Sequence, residues 1–111
     1  MANLQEFVGL GGSVALGNDY GGGPGEFERG IPMYEIETMA GAGMTSMQII
    51  VASTKHAAYV LNLGNEVGTL EPGKVADVLV VGGYPLEDLQ ALRDVRMVVH
   101  NGVIIRNEIE K

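Results

Sequence analysis

From Val14 to Phe27 the chain reads VALGNDYGGGPGEF, and no other stretch limits its possible folds as strongly. The apolar run from Ser13 to Leu16 predicts a buried strand, and Gly17 opens a long loop through Gly30. Asp19 lies on that loop, ahead of a glycine cluster. Asp and Gly suit tight turns, so a strand end followed by a turn accounts for these residues taken alone. Structureless loops of this length in compact domains are, however, usually functional or disordered. This one has neither the GK[ST] ending of a Walker loop nor G-x-G-x-x-G spacing, which argues against a phosphate cradle.

The loop has helical patterns on both sides. Asn3 to Leu10 predicts a short helix with Asn3 as N-cap, Glu6 three residues on, and Leu4, Phe7 and Val8 on one face. Gly9, Gly11 and Gly12 end it. After the loop a helix starts at Ile31 or Pro32, with Met33, Ile36 and Ala40 on its apolar face and Gly41 and Gly43 as its stop. Thr45 and Gln48 then form a T-x-x-Q capping box, and Met44 with Ile49 fits a hydrophobic staple. The following helix runs from Ser46, breaks near Ser53 and Thr54, and continues to Gly64 as its C′ residue. His56 falls within it. With no His or carboxylate three or four residues on, it reads as a partly buried helix histidine bonded to a neighbour rather than as a metal ligand.

Beyond Gly64 the pattern becomes extended. Val67 to Leu70 forms a short extended piece, and Glu71-Pro72-Gly73-Lys74 suits a type II turn. Val75 to Val81 is an apolar strand interrupted by Asp77, and Pro85 to Leu92 gives one or two helical turns. Val95 to His100 and Val103 to Arg106 flank Asn101-Gly102, a strong signal for a hairpin with a type I′ turn.

Composition narrows the function classes. At 111 residues the chain is a single domain with one modest core. No apolar run approaches the roughly 20 residues that span a bilayer, and the first ten residues lack a signal-peptide pattern, which predicts a soluble, cytoplasmic protein with no membrane partner. A net charge of −7 with seven unclustered Lys and Arg leaves no footprint for nucleic acid. Without cysteine, any metal would need His or carboxylate ligands. No serine lies in a G-x-S-x-G elbow, and Glu26 and Glu28 lack the aromatic platform that a glycosidase pair would want.

The run ASTKHAAYVLNLGNEVGTLEPGKVADVLVVGGYPLEDLQALRDVRMVVHNGVII resembles the C-terminal signature of the metal-dependent amidohydrolase superfamily, especially its imidazolonepropionase-like and prolidase-like members. Its order is an A-T-x-N-A-A helix, a leucine-glycine stop, G-x-L-x-P-G-K-x-A-D before an apolar strand, P-L-x-D, and a V-x-x-V-x-x-x-G hairpin. Gly17-Asn18-Asp19 stands where that family has G-T-D at the end of its last barrel strand, with Asn18 for threonine and, further on, His56 for the asparagine of A-T-x-N-A-A.

The resemblance implies an α/β architecture, α+β as a stand-alone piece. Residues 1–64 would supply the last strand, glycine-rich loop and helices of a β/α barrel. Residues 65–111 would supply a strand, a short helix and a hairpin of a C-terminal β-sandwich. It also implies that Asp19 is both catalytic and metal-proximal, taking a proton from the attacking water. The family's His-x-His pair, often a carboxylated lysine, and two further histidines have no counterparts here, since only His56 and His100 are present. The expectation is therefore a truncated amidohydrolase, inactive and without cofactor alone. Zinc or another divalent ion would be held only with a complementary amidohydrolase chain. Sheet edges left bare predict a homodimer. A split-enzyme half, or a scaffold module binding a small ligand, are the other readings.

Overall fold

The computed structural model describes residues 2–17 and 31–109. Helix α1 spans Ala2–Gly9, α2 Met33–Gly41, α3 Ser46–Ser53 and α4 Lys55–Val60. Strand β1 spans Val78–Val81, a 3-10 turn Leu89–Arg93, β2 Val95–His100 and β3 Val103–Asn107. The strands form one antiparallel sheet in the order β1-β2-β3. The mixed helix and sheet class expected from the sequence is thus observed.

Local chemistry ends three of the helices in the same way. At α1, Gly12 N–H donates to Phe7 O and Gly11 N–H to Val8 O, with Gly11 at φ +91°. At α2, Met44 N–H reaches Met39 O and Gly43 N–H reaches Ala40 O, with Gly43 at φ +96°. Both are Schellman caps, which satisfy carbonyls that a helix end would otherwise orphan. At α4 the expected C′ residue, Gly64, is not used. Asn62 takes the left-handed conformation at φ 60°, and Leu63 N–H closes onto Ala58 O. Asparagine tolerates this region, so the helix stops two residues early.

The starts are less uniform. Thr45 caps α3 with the full reciprocal box: Gln48 N–H donates to Thr45 Oγ1 at 3.1 Å, and Thr45 N–H to Gln48 Oε1 at 2.8 Å. Met44 and Ile49, the expected staple, are both buried in the core. Asn3, by contrast, lies inside α1 rather than at its N-cap, and Pro32 sits one position before α2 rather than in its first turn.

The core is almost wholly helical. Met33, Ile36, Met39, Met44, Ile49 and Ala52 form its buried cluster, flanked by Leu4, Val8, Val14, Leu16, Ile31, Leu89 and Leu92. Met39 replaces the expected Ala40, which is exposed, because the i, i+3 row from Met33 through Ile36 is the one that faces α3. Phe7, expected with Leu4 and Val8, is 52% exposed and instead lies over Gly12. No residue of the three strands is fully buried, and β3 is exposed throughout.

The hairpin forms as expected, with Asn101 at φ 51° and Gly102 at φ 78° across the His100–Val103 pair. Strand β1 begins at Val78 rather than Val75. Asp77 explains the late start: its Oδ1 accepts the Asn101 N–H at 2.8 Å, and Gly102 N–H donates to Ala76 O. Residues 76 and 77 thus tie down the hairpin turn instead of extending the ladder.

Candidate functional site

Ser13–Leu16, expected as a buried strand, has no regular secondary structure, pairs with no strand among the described residues, and has no fully buried residue. It lies against the junction of α3 and α4. That junction is a break at Thr54, with φ −122° and ψ −79°, and the last carbonyls of α3 find other donors there. Ser53 Oγ–H bonds Ile49 O, Thr54 Oγ1–H bonds Ile50 O, and Thr54 N–H bonds Val51 O. The Ala52 carbonyl is taken by Leu16 N–H at 3.0 Å. Two residues earlier, His56 Nδ1 lies 3.0 Å from Val14 O in a partly buried contact. A carbonyl can only accept, so Nδ1 carries the proton and the free nitrogen is Nε2.

The expected reading of His56, a helix histidine bonded to a neighbour, therefore holds, although the partner lies 42 residues away in sequence. Residues of this segment line two of the clefts. One, of about 500 Å³, is lined by Ser13, Ala15, Lys55, His56 and Tyr59. The other, of about 290 Å³ and mostly apolar, lies between Leu16, Ile31, Ile36, Ile49 and Leu92.

The most recognisable motif, Gly68 to Asp77, serves the fold. Gly68 has φ +101°, and a β-carbon there would lie 2.6 Å from Ala58 Cβ and 3.1 Å from Thr54 O. Only glycine lets the chain pass this close to α4. Pro72-Gly73 makes the expected turn, with Gly73 at φ +91° and Lys74 N–H on Glu71 O. Lys74 Nζ, its side chain 15% exposed, then binds Gly64 O at 2.7 Å, Thr69 Oγ1 at 2.6 Å and Glu71 Oε2 at 2.9 Å. Thr69 also donates to Glu71, and these bonds hold the Glu71 carboxyl below its ordinary value, the Thr69 bond first and Lys74 second. Together these contacts join the end of α4 to the start of β1. The sequence places Lys74 in a turn and Asp77 in a strand, and it does not show that Lys74 reaches back ten residues to Gly64 or that Asp77 holds the Asn101 N–H 24 residues on.

Asp19, the expected catalytic and metal-proximal residue, lies outside the described residues, as do residues 18–30 of the loop. His56 and His100 are not brought together: His56 serves Val14, and His100 Nδ1 lies 3.3 Å from Asp77 Oδ1 at the hairpin end. Among the described residues no three His, Cys, Asp or Glu side chains converge as an ion site, so these residues do not by themselves fit a metal centre. No helix among the described residues is long and apolar enough to cross a membrane.

The sequence profile of the amidohydrolase family matches residues 4–105. The chain belongs to that family. The imidazolonepropionase of Thermoanaerobacter pseudethanolicus is 35% identical over 80 residues, which are 72% of this chain and 19% of that protein. The fold of this amidohydrolase-family chain resembles that of a Xaa-Pro dipeptidase solved with methionine in its active site, with a TM-score of 0.82 and 28% identity over 95% of this chain and 25% of the other. Molinate hydrolase follows, with a TM-score of 0.77, 25% identity, and coverage of 93% and 25%. The chain thus spans about a fifth to a quarter of the length of the relatives it matches.

Proposed function

We propose that this chain is the C-terminal segment of an amidohydrolase acting on C–N bonds, and that it is inactive by itself. The fold likeness carries this reading, since it covers 95% of this chain and only 25% of the dipeptidase. On this reading residues 1–64 contribute the closing strand and helices of a β/α barrel, and residues 65–111 contribute strands of a small β-sandwich. Asp19 is the base that accepts the proton of the attacking water, a task that needs an ionised carboxylate within hydrogen-bond reach. A divalent ion such as zinc would be held only together with histidines and a lysine from a complementary amidohydrolase segment, and would there supply Lewis acidity.

The test is hydrolysis of dipeptides and N-acyl amino acids by the chain with zinc or manganese, alone and with a complementary histidine-bearing chain. We expect no turnover alone, and turnover on complementation that Asp19→Ala removes. Metal-dependent turnover by the chain alone would overturn the proposal.

A second reading, a homodimeric scaffold, draws on β3, where Val103, Ile104 and Ile105 are 61%, 55% and 63% exposed on an edge strand. Such edges pair unless blunted. Sedimentation at micromolar concentration decides it: a dimer supports this reading and a clean monomer removes it.

A further inference from the structure

We infer that His56 is a positioning residue: its Nδ1–H clamps the Val14 carbonyl and so fixes the segment that leads in sequence to Asp19. The inference rests on the proposed hydrolase reading only for its consequence in catalysis. The clamp itself follows from the geometry. Ser13–Leu16 has no ladder partner among the described residues, so its backbone polar groups must be met otherwise. Two bonds do this, Leu16 N–H to Ala52 O and His56 Nδ1–H to Val14 O, both at 3.0 Å. They run in opposite senses, one donated by the segment and one accepted by it. They also land on opposite sides of the Thr54 break, one on α3 and one on α4. The segment is thereby fixed both along its length and in rotation.

A histidine is suited to this role because its ring nitrogen stands at the same bonded distance from Cβ as the amide nitrogen of asparagine, the residue in the pattern that His56 replaces. Either can donate to Val14 O, and alanine cannot. Of the two tautomers of the neutral ring, the bond selects the one with the proton on Nδ1.

Two measurements on the full chain test the clamp. Nitrogen-15 spectra of the neutral imidazole should show His56 protonated on Nδ1. Hydrogen exchange of the Leu16 amide should speed up roughly tenfold in His56→Ala, as expected for loss of one neighbouring hydrogen bond, and return to the parent rate in His56→Asn. An Nε2–H tautomer in the parent, unchanged Leu16 exchange in a folded His56→Ala, or no recovery in a folded His56→Asn would each overturn the inference. Should His56→Ala fail to fold, the parent tautomer and the asparagine variant still decide. In the complemented enzyme, His56→Ala should lower kcat by about 10- to 100-fold with KM little changed, and His56→Asn should restore it. Tautomer and exchange need no turnover, so their failure counts against the clamp, whereas a silent hydrolysis assay counts against the proposed function.

Discussion

Gly68→Ala offers a sharp test of the Gly68–Asp77 clip, because the structure separates two costs at one position. The first is conformational: a residue with a β-carbon held near φ +101° is strained by about 1–3 kcal/mol. The second is steric, since the new β-carbon would meet Ala58 Cβ at 2.6 Å and Thr54 O at 3.1 Å, and overpacking of this kind costs about 1–3 kcal/mol more. Gly73 supplies the control. Its φ is +91°, but nothing lies within 4 Å of where its β-carbon would stand, so Gly73→Ala carries the first cost alone. The expected gap between the two variants is about 2 kcal/mol, or roughly 1–2 M in urea midpoint for a domain of this size. Ala58→Gly should then recover part of the Gly68→Ala loss, with a coupling of about 1–2 kcal/mol in a double-mutant cycle. Equal destabilisation of the two glycine variants, or strictly additive behaviour of Gly68→Ala with Ala58→Gly, would refute the close-approach argument.

Ile49→Ala should cost about 2–5 kcal/mol in the same urea assay, because Ile49 is fully buried at the centre of the helical cluster. Thr45→Ala should cost about 1 kcal/mol by removing the acceptor for Gln48 N–H, and Thr45→Ser should recover most of it. Glu71 has a folded pKa below its ordinary 4.5, so its contribution is complete above about 4.5 and is lost as pH falls through the lowered folded value. Melting temperatures taken from neutral pH down to about pH 3 should therefore fall less in Glu71→Gln than in the parent. An identical fall in the two would remove Glu71 from the account.

The features legible in the sequence share one property: their partners lie within a few residues. The Thr45–Gln48 box, the stops at Gly11 and Gly43, the Pro72-Gly73 turn, the break near Thr54 and the Asn101-Gly102 hairpin are each closed by bonds spanning five residues or fewer. Two of the differences between pattern and structure depend on distant contacts, and one is a local ambiguity. Periodicity puts Ala40 on the apolar face of α2, but it does not say which row meets α3, and Met39 is the residue buried there. The pattern places the C′ residue at Gly64, and the structure uses Asn62, which the same local rule also admits. The apolar pattern starts β1 at Val75, because the draw of Asp77 towards the hairpin turn depends on a contact 24 residues distant. The proposed site divides in the same way, since the helical place of His56 was readable and its bond to Val14 was not.

By itself, then, the sequence determined the Thr45–Gln48 cap, the glycine stops of α1 and α2, the turns and the hairpin, and carried a family signature whose core motif is a run of backbone requirements. Gly68 and Gly73 must adopt positive φ, and Pro72 suits the turn between them, so chemistry at single positions is enough to mark them. The tertiary structure alone decided that Ser13–Leu16 bonds the α3–α4 junction and, among the described residues, no strand, and that the buried cluster is helical while the apolar strands stay open. Strand patterning records that a residue is apolar, but whether it is buried depends on which surface comes to lie against it.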